Sequence, residues 1–110
     1  MGYTTNINWE ILRSLDSATL TGSYQALGTP LIHPSYKCKI VNNSTVLITI
    51  SNDGINDKDV VPGASFVLYD EGTVGQSGAF PAIPAGTQIS VKGTAGTGVI
   101  YLVSQYIVTA

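Results

Sequence analysis

Four side chains with oxygen donors lie within a stretch of seven residues and form the densest chemical cluster in the chain. Carboxylate and amide oxygens are the ligands that Ca²⁺ prefers, and this ion takes six to eight of them. The spacing is not that of an EF-hand loop, the closing bidentate Glu is missing, and Lys58 adds a positive charge. Asp and Asn also favour turns, so a turn is the favoured interpretation, with a calcium loop as the alternative and no metal ligand assigned. The four residues are Asp53, Asn56, Asp57 and Asp59.

Three further features have residue types that enzymes use, but each lacks what catalysis requires. The adjacent carboxylates of Asp70 and Glu71 would point to opposite faces of a strand, which argues against a shared glycosidase site. His33 stands beside Pro34, and the chain has no Gly-x-Ser-x-Gly nucleophile motif. The glycine-rich run 93–98 lacks the Lys-Ser/Thr ending of a phosphate-binding loop. The sequence therefore predicts a protein that is not an enzyme and has no cofactor.

Charged residues are scarce in this chain. They make up 11% of its 110 residues, against about a quarter in a typical soluble domain, and the net charge is −2. A polar surface with few charges costs little to desolvate and does not keep copies apart by repulsion. We therefore expect a homo-oligomer or a lattice component rather than a monomer. Nucleic-acid binding is not expected, because the five cations are scattered: Arg13, Lys37, Lys39, Lys58 and Lys92.

The cysteine content and the hydropathy of the chain indicate the compartment in which it is synthesised. The single Cys38 excludes an intrachain disulfide, and the first residues show no basic stretch followed by an apolar run. No apolar stretch approaches the length of a membrane span, so no membrane association is expected. These features favour synthesis in a cytoplasm. Six Tyr and one Trp leave carbohydrate binding as an alternative, since sugars stack on aromatic rings, although packing is the usual role of such residues in strands.

From residue 17 onward, short alternating or apolar stretches separated by turn residues predict an all-β domain, 17–110. The architecture expected is an antiparallel β-sandwich or a small jelly-roll-like barrel. The stretches 36–41 and 46–51, with a turn at 42–44, favour a β-hairpin. A Gly- and Ser-rich stretch over 71–82 predicts a long loop. The predicted strands are 19–27, 36–41, 46–51, 65–70, 87–93 and 99–108.

The N-terminal segment, 1–16, differs from the rest of the chain. Ile7, Ile11 and Leu15 recur at helical spacing, and Asn8 is a residue type that caps helices, so a short helix is one of three interpretations that the sequence leaves equally open. An extended arm that docks on a neighbouring subunit, or a flap on the domain itself, are the alternatives. Because buried Trp residues carry much of the energy of protein interfaces, we assign partner binding to this segment. The residues assigned are Ile7, Trp9, Ile11 and Leu12.

The order of strands and turns from about residue 18 to 108 resembles small β-sandwich structural proteins of tailed bacteriophages. This resemblance implies a virion component made in the host cytoplasm, most simply a capsid decoration (cement) subunit bound to the major capsid protein. A tail or head–tail accessory protein, or a receptor- or glycan-binding module of a tail or fibre, are the alternatives. It implies no catalytic or metal residues. The stretches that carry the resemblance are 42–54, 59–62, 65–70, 83–93 and 98–101.

Overall fold

The computed structural model describes residues 5–70 and 83–109, which form nine β-strands and a short 3₁₀ turn, Ser17–Thr19. The predicted loop at 71–82, with Glu71, lies outside the described residues. In chain order the strands are β1 (Thr5–Trp9), β2 (Arg13–Asp16), β3 (Gln25–Ala26), β4 (Lys37–Ser44), β5 (Ile48–Ser51), β6 (Asp59–Val61), β7 (Ser65–Asp70), β8 (Ser90–Gly93) and β9 (Gly98–Thr109).

The strands form two antiparallel sheets that pack face to face. The first sheet has five strands in the order β1-β9-β4-β7, and β2 also pairs with β9. The second sheet has four strands in the order β3-β8-β5-β6. The predicted all-β sandwich is therefore confirmed.

The longest strand, β9, organises the first sheet. Its 12 residues pair with β4 along one edge, from Gln105 opposite Lys37 to Gly98 opposite Ser44. Along the other edge β1 covers one half of β9 and β2 covers the other half. A strand of this length needs partners on both edges for its backbone N–H and C=O groups, and three segments of the chain supply them.

The hydrophobic core lies between the sheets and follows the strand alternation. Cys38 and Ile40 of β4 point inward, while Lys37 and Lys39 point to the opposite face, as the sequence predicts. Burying each large aliphatic side chain stabilises the fold by about 1.5–3 kcal/mol. The core side chains that are fully inaccessible are Leu27, Ile40, Ile48, Val91, Ile100 and Leu102.

The helix considered for the N-terminal segment is wrong. Residues 5–9 and 13–16 are strands that hydrogen-bond to β9, so the segment is part of the first sheet. Ile7, Ile11 and Leu15 have the spacing of one helix face, but this spacing arises by chance and does not reflect a helix. Helical and strand preferences differ by a few tenths of a kcal/mol per residue, which pairing with an open edge of β9 outweighs.

The predicted hairpin between 36–41 and 46–51 is also wrong. β4 continues through the expected turn to Ser44, and β5 belongs to the other sheet. Asn42 is fully buried at this crossing and its Nδ2 donates to the carbonyls of Val46 (2.7 Å) and Val61 (2.9 Å). Its Oδ1 accepts a hydrogen bond from the Ser44 hydroxyl. One side chain thus connects β4, the crossing segment and β6.

Three predicted strands are shorter than expected, among them 46–51, which begins only at Ile48. Of the stretch 19–27, only Gln25–Ala26 pairs in a sheet, and the strand predicted over 87–93 begins at Ser90. The remaining residues of the stretches 19–27 and 87–93 are outside the strands, and backbone hydrogen bonds join the two stretches, such as Leu27 N–H to Ile89 O at 2.8 Å. The alternation of apolar residues locates the buried positions, but it does not fix where pairing begins.

Removing the Asn42 amide should destabilise the crossing between the sheets. In Asn42→Ala two buried carbonyls lose their donor and a small cavity forms, which should lower the free energy of unfolding by about 3 kcal/mol. Asn43→Ala is the matched control, because Asn43 is the exposed neighbour on the same strand and should cost under about 0.5 kcal/mol. Urea unfolding of both variants measures the difference, and equal midpoints would contradict this role.

Candidate partner-binding surface

The outer face of the first sheet, which points away from the core, is rich in apolar side chains. Register places these residues side by side: Val103 of β9 lies opposite Lys39, and Lys39 lies opposite Leu68 of β7. The next row joins Tyr101, Val41 and Phe66 in the same way. The apolar members of this outer face are Ile7, Trp9, Val41, Phe66, Leu68, Val99, Tyr101, Val103 and Ile107.

Several of these side chains are accessible to solvent. Trp9 is 63% exposed, Phe66 62% and Leu68 50%. A groove of about 330 Å³ lies between Trp9 and Leu68. Contiguous exposed apolar surface of this kind marks interaction sites in soluble proteins more often than single exposed residues do. The groove is lined by Trp9, Lys37, Lys39, Leu68, Val103 and Gln105.

The charges on the outer face are positive at its centre. Lys37 and Lys39 project from β4, and the Lys39 ammonium lies 5.8 Å from the centre of the Phe66 ring. Asp16 is at the far end of the face, where its carboxylate accepts a hydrogen bond from the N–H of Ala18. Register also places Asp70 opposite Lys37, so the outer face has two basic and two acidic positions and is not cationic as a whole.

The four residues assigned to partner binding are all exposed, but they divide into two groups. Ile7 and Trp9 are on the outer face, in β1. Ile11 and Leu12 are in the connection between β1 and β2, where they are 73% and 57% exposed. Ile32, which the sequence did not single out, is 64% exposed in a loop whose backbone contacts Glu10. Their part in binding stays a prediction.

Phe66, Leu68, Tyr101 and Val103 were not recognised as surface residues from the sequence. Strand β7 has apolar or aromatic side chains at four consecutive positions, Phe66 to Tyr69, so no alternation distinguishes its two faces. For β9, the apolar run left open whether its second face was buried in the core or at an interface. Only the register with β4 places these residues on one outer face.

A buried ion pair fixes the connection that presents Ile11 and Leu12. Arg13 Nη2 lies 2.7 Å from Glu10 Oε1, and the two side chains are 2% and 1% exposed. Arg13 also donates to the carbonyls of Thr29 (2.7 Å) and Pro30 (2.9 Å). Since breaking a buried pair leaves an unpaired charge, these contacts should hold the connection rigidly.

The same pair holds the loop that carries Ile32. The Glu10 carboxylate accepts hydrogen bonds from the backbone N–H of Ile32 (3.1 Å) and of His33 (2.8 Å). Burial raises the pKa of Glu10, but these hydrogen bonds and Arg13 outweigh it, so the pKa lies below its ordinary value of 4.5. Gly28 has φ +71°, and a Cβ there would lie 2.6 Å from Arg13 Cβ, so the loop crosses Arg13 only with glycine.

The residue types that suggested chemistry serve the fold in this structure. The Asp53 carboxylate accepts hydrogen bonds from the Ser51 hydroxyl (2.6 Å) and from the N–H of Ile55 and Asn56, as in a turn. These bonds hold the pKa of Asp53 well below its usual range. Asp57 instead accepts from the Tyr24 hydroxyl at 2.5 Å. In the described ranges, no three His, Cys, Asp or Glu side chains group closely enough to hold a metal ion.

His33 packs against the first sheet. Its ring stacks on Tyr106 with centroids 3.7 Å apart and planes at 5°, and its Nδ1 lies 3.4 Å from Glu10 Oε2.

Burial raises the pKa of the Cys38 thiol to about 12, so this thiol stays protonated and is a poor nucleophile at neutral pH. No helix among the described residues is long and apolar enough to cross a membrane.

Comparisons of the chain with protein-family models, with curated proteins and with solved structures found no match. The residues and geometry described above are therefore the basis for inferring the function.

Replacing Glu10 by Gln should lower stability at pH 7 and change its pH dependence. The substitution leaves the Arg13 charge buried without a counter-ion and should cost about 3 kcal/mol. Because the folded pKa of Glu10 is depressed, its contribution is complete above about pH 4.5 and is lost as the pH falls through the lowered value. Urea unfolding of wild type and Glu10→Gln at pH 7, 5, 4 and 3 should therefore show a difference that shrinks in acid.

The control is Asp16→Asn, an exposed acid-to-amide change in the same N-terminal segment. It should cost under about 1 kcal/mol, as expected for an exposed cap. A Glu10→Gln variant as stable as Asp16→Asn at pH 7 would contradict the role of the buried pair.

Proposed function

We propose that this protein is a non-enzymatic structural protein of a tailed-bacteriophage virion, and that it decorates the capsid shell by binding the major capsid protein. The observation that carries the proposal is the apolar outer face of the first sheet, with its groove between Trp9 and Leu68. A sandwich normally needs only one apolar face per sheet, and this sheet has two. The second apolar face is the part of the molecule best suited to a protein partner.

Composition supports the same conclusion. Only 11% of the residues are charged, so few ions lose their hydration when the surface is covered. The resemblance of the strand and turn pattern to phage structural proteins supplies the particular role. On this proposal the protein is made in the host cytoplasm and is then incorporated into the virion.

The outer face also indicates the chemistry of the shell surface. Lys39 stands among the apolar side chains of the groove, so a complementary surface would be apolar with a carboxylate facing this ammonium group. Burying the exposed part of Trp9 would contribute on the order of 3 kcal/mol. Attachment of several copies to one shell would make a modest individual affinity persistent.

Trp9→Ala should weaken binding to shells that lack the protein. The test is co-sedimentation of purified protein with heads of its phage assembled without it, beside isolated tails. The wild type should bind heads saturably, and Trp9→Ala should bind about 100-fold more weakly, which corresponds to the 3 kcal/mol above. Trp9 is 63% exposed, so the free energy of unfolding of the variant, measured in urea, should stay within about 0.5 kcal/mol of the wild-type value.

The matched control is Ile55→Ala. Ile55 is 78% exposed in the turn after β5, which belongs to the second sheet, so its truncation should leave head binding unchanged. Saturable binding to tails alone would replace the capsid role with a tail role. Binding to neither, or equal effects of the two substitutions, would overturn the proposed surface.

A further inference from the structure

Strand β7 forms one edge of the first sheet. Its residues pair with β4 through six registered positions, from Ser65 opposite Asn42 to Asp70 opposite Lys37. Within the described part of the chain, the other edge of β7 has no strand beside it. Every second residue of an edge strand directs its N–H and C=O groups away from the sheet, where a further strand can bind them.

The β7 edge lacks the features that usually prevent such pairing. Natural edges are short, or carry Lys, Pro or a bulge. The edges of the second sheet follow this rule, since β3 has two residues and β6 has three. By contrast, β7 has six residues, and its sequence from Ser65 to Tyr69 contains no charge, Pro or Gly. Its outward side chains, Phe66 and Leu68, are 62% and 50% exposed.

We propose that β7 is a homodimer interface, in which it pairs antiparallel with β7 of a second copy about a two-fold axis. An antiparallel pair of identical strands is self-complementary, so each copy offers the other the same donors and acceptors. The two first sheets would then continue into one sheet, and their apolar outer faces would form one surface across both copies. This interface stands on the strand geometry and does not require the capsid role.

The alternation of side chains fixes the register of the pair. Directly opposite residues in an antiparallel pair point to the same face of the sheet. The two-fold axis must therefore pass midway between the two copies of one β7 residue, so that this residue lies opposite itself. An axis at Val67 places Phe66 opposite Leu68 of the second copy, on the outer face. An axis at Leu68 would instead place Phe66 opposite the Asp70 position. The first register joins apolar to apolar and is the one proposed.

Charge favours a second copy of this chain as the occupant. In the proposed register the outer-face row runs from Lys39 through Leu68 to Phe66 and Val41 of the second copy. The two Lys39 side chains are therefore in different rows and do not meet. Asp70, the one charged residue of β7, lies opposite position 64 of the second copy, so the two Asp70 residues do not meet either. The other five residues of β7 have no ion with which to select a charged partner and meet no repulsion from themselves.

The neighbouring edge of the second sheet is tied to β7. The Tyr69 hydroxyl donates to Asp59 Oδ2 at 2.5 Å, and this bond joins β6 to β7 on the same side of the sandwich. Together with the pairing to β4, it leaves the β7 backbone little freedom to lose when a second strand binds. A preorganised edge forms such an interface at a lower entropic cost.

Sedimentation velocity of the full chain tests the dimer. The wild type should sediment as a dimer at micromolar concentration. Leu68→Lys should weaken the association about 100-fold, because its ammonium would lose hydration in the seam and would lie directly beside the Lys39 ammonium of its own chain. Ile7→Lys is the matched control at the opposite edge strand of the same sheet and should remain dimeric. Circular dichroism and urea midpoints should show both variants folded.

A wild type that stays monomeric up to roughly 1 mM would overturn the proposal, since an affinity weaker than that is negligible. Loss of the dimer in Ile7→Lys and not in Leu68→Lys would move the interface to β1 and equally overturn it. Trp9→Ala should leave the dimer intact, so failure of this inference is separable from failure of shell binding.

Cysteine cross-linking tests the register. An equimolar mixture of Phe66→Cys and Leu68→Cys chains should form a disulfide-linked heterodimer on mild oxidation, because these positions face each other. Each variant alone should not, since identical positions would lie diagonally, at about 7–8 Å, beyond disulfide reach. Cys38 is 1% exposed and should not interfere. Cross-linking of either variant alone, with none in the mixture, would overturn the proposed register.

Discussion

The backbone of β9 sets the constraint on which the rest of the structure depends. Twelve consecutive residues run through the middle of the first sheet, and their N–H and C=O groups need partners on both edges. One continuous strand, β4, meets this need on one side, whereas two short N-terminal strands meet it on the other. The form of the N-terminal segment and the position of Trp9 on the outer face both follow from this pairing.

Buried polar groups determine how the chain passes between elements. Asn42 joins β4 to the crossing segment and to β6, and the Glu10–Arg13 pair joins the connection between β1 and β2 to the loop at 28–33. Apolar packing alone would tolerate other crossings, because it is not directional. A buried amide or ion pair has one arrangement in which all its groups are satisfied, and we infer that these two groups select the observed connections.

The two faces of the first sheet are the basis of the proposed assembly role. The inner face forms the core with the second sheet, while the outer face exposes Trp9, Phe66 and Leu68 and has a groove between Trp9 and Leu68. The proposed binding to a shell would cover this face, and the proposed pairing through β7 would extend it across two copies. The two proposals are compatible because one uses the face of the sheet and the other uses its edge.

The sequence by itself determined the all-β class, the alternation of β4, the scarcity of charge and the turn at Asp53, because these depend on side-chain type and on near neighbours. It also indicated Ile7 and Trp9 as exposed candidates for binding. Only the tertiary structure decided that residues 5–9 and 13–16 are strands, that β4 and β5 belong to different sheets, and that Phe66, Leu68, Tyr101 and Val103 share one outer face. Strand pairing joins residues far apart in the chain, and a strand that is apolar on both faces gives no local sign of which face is covered.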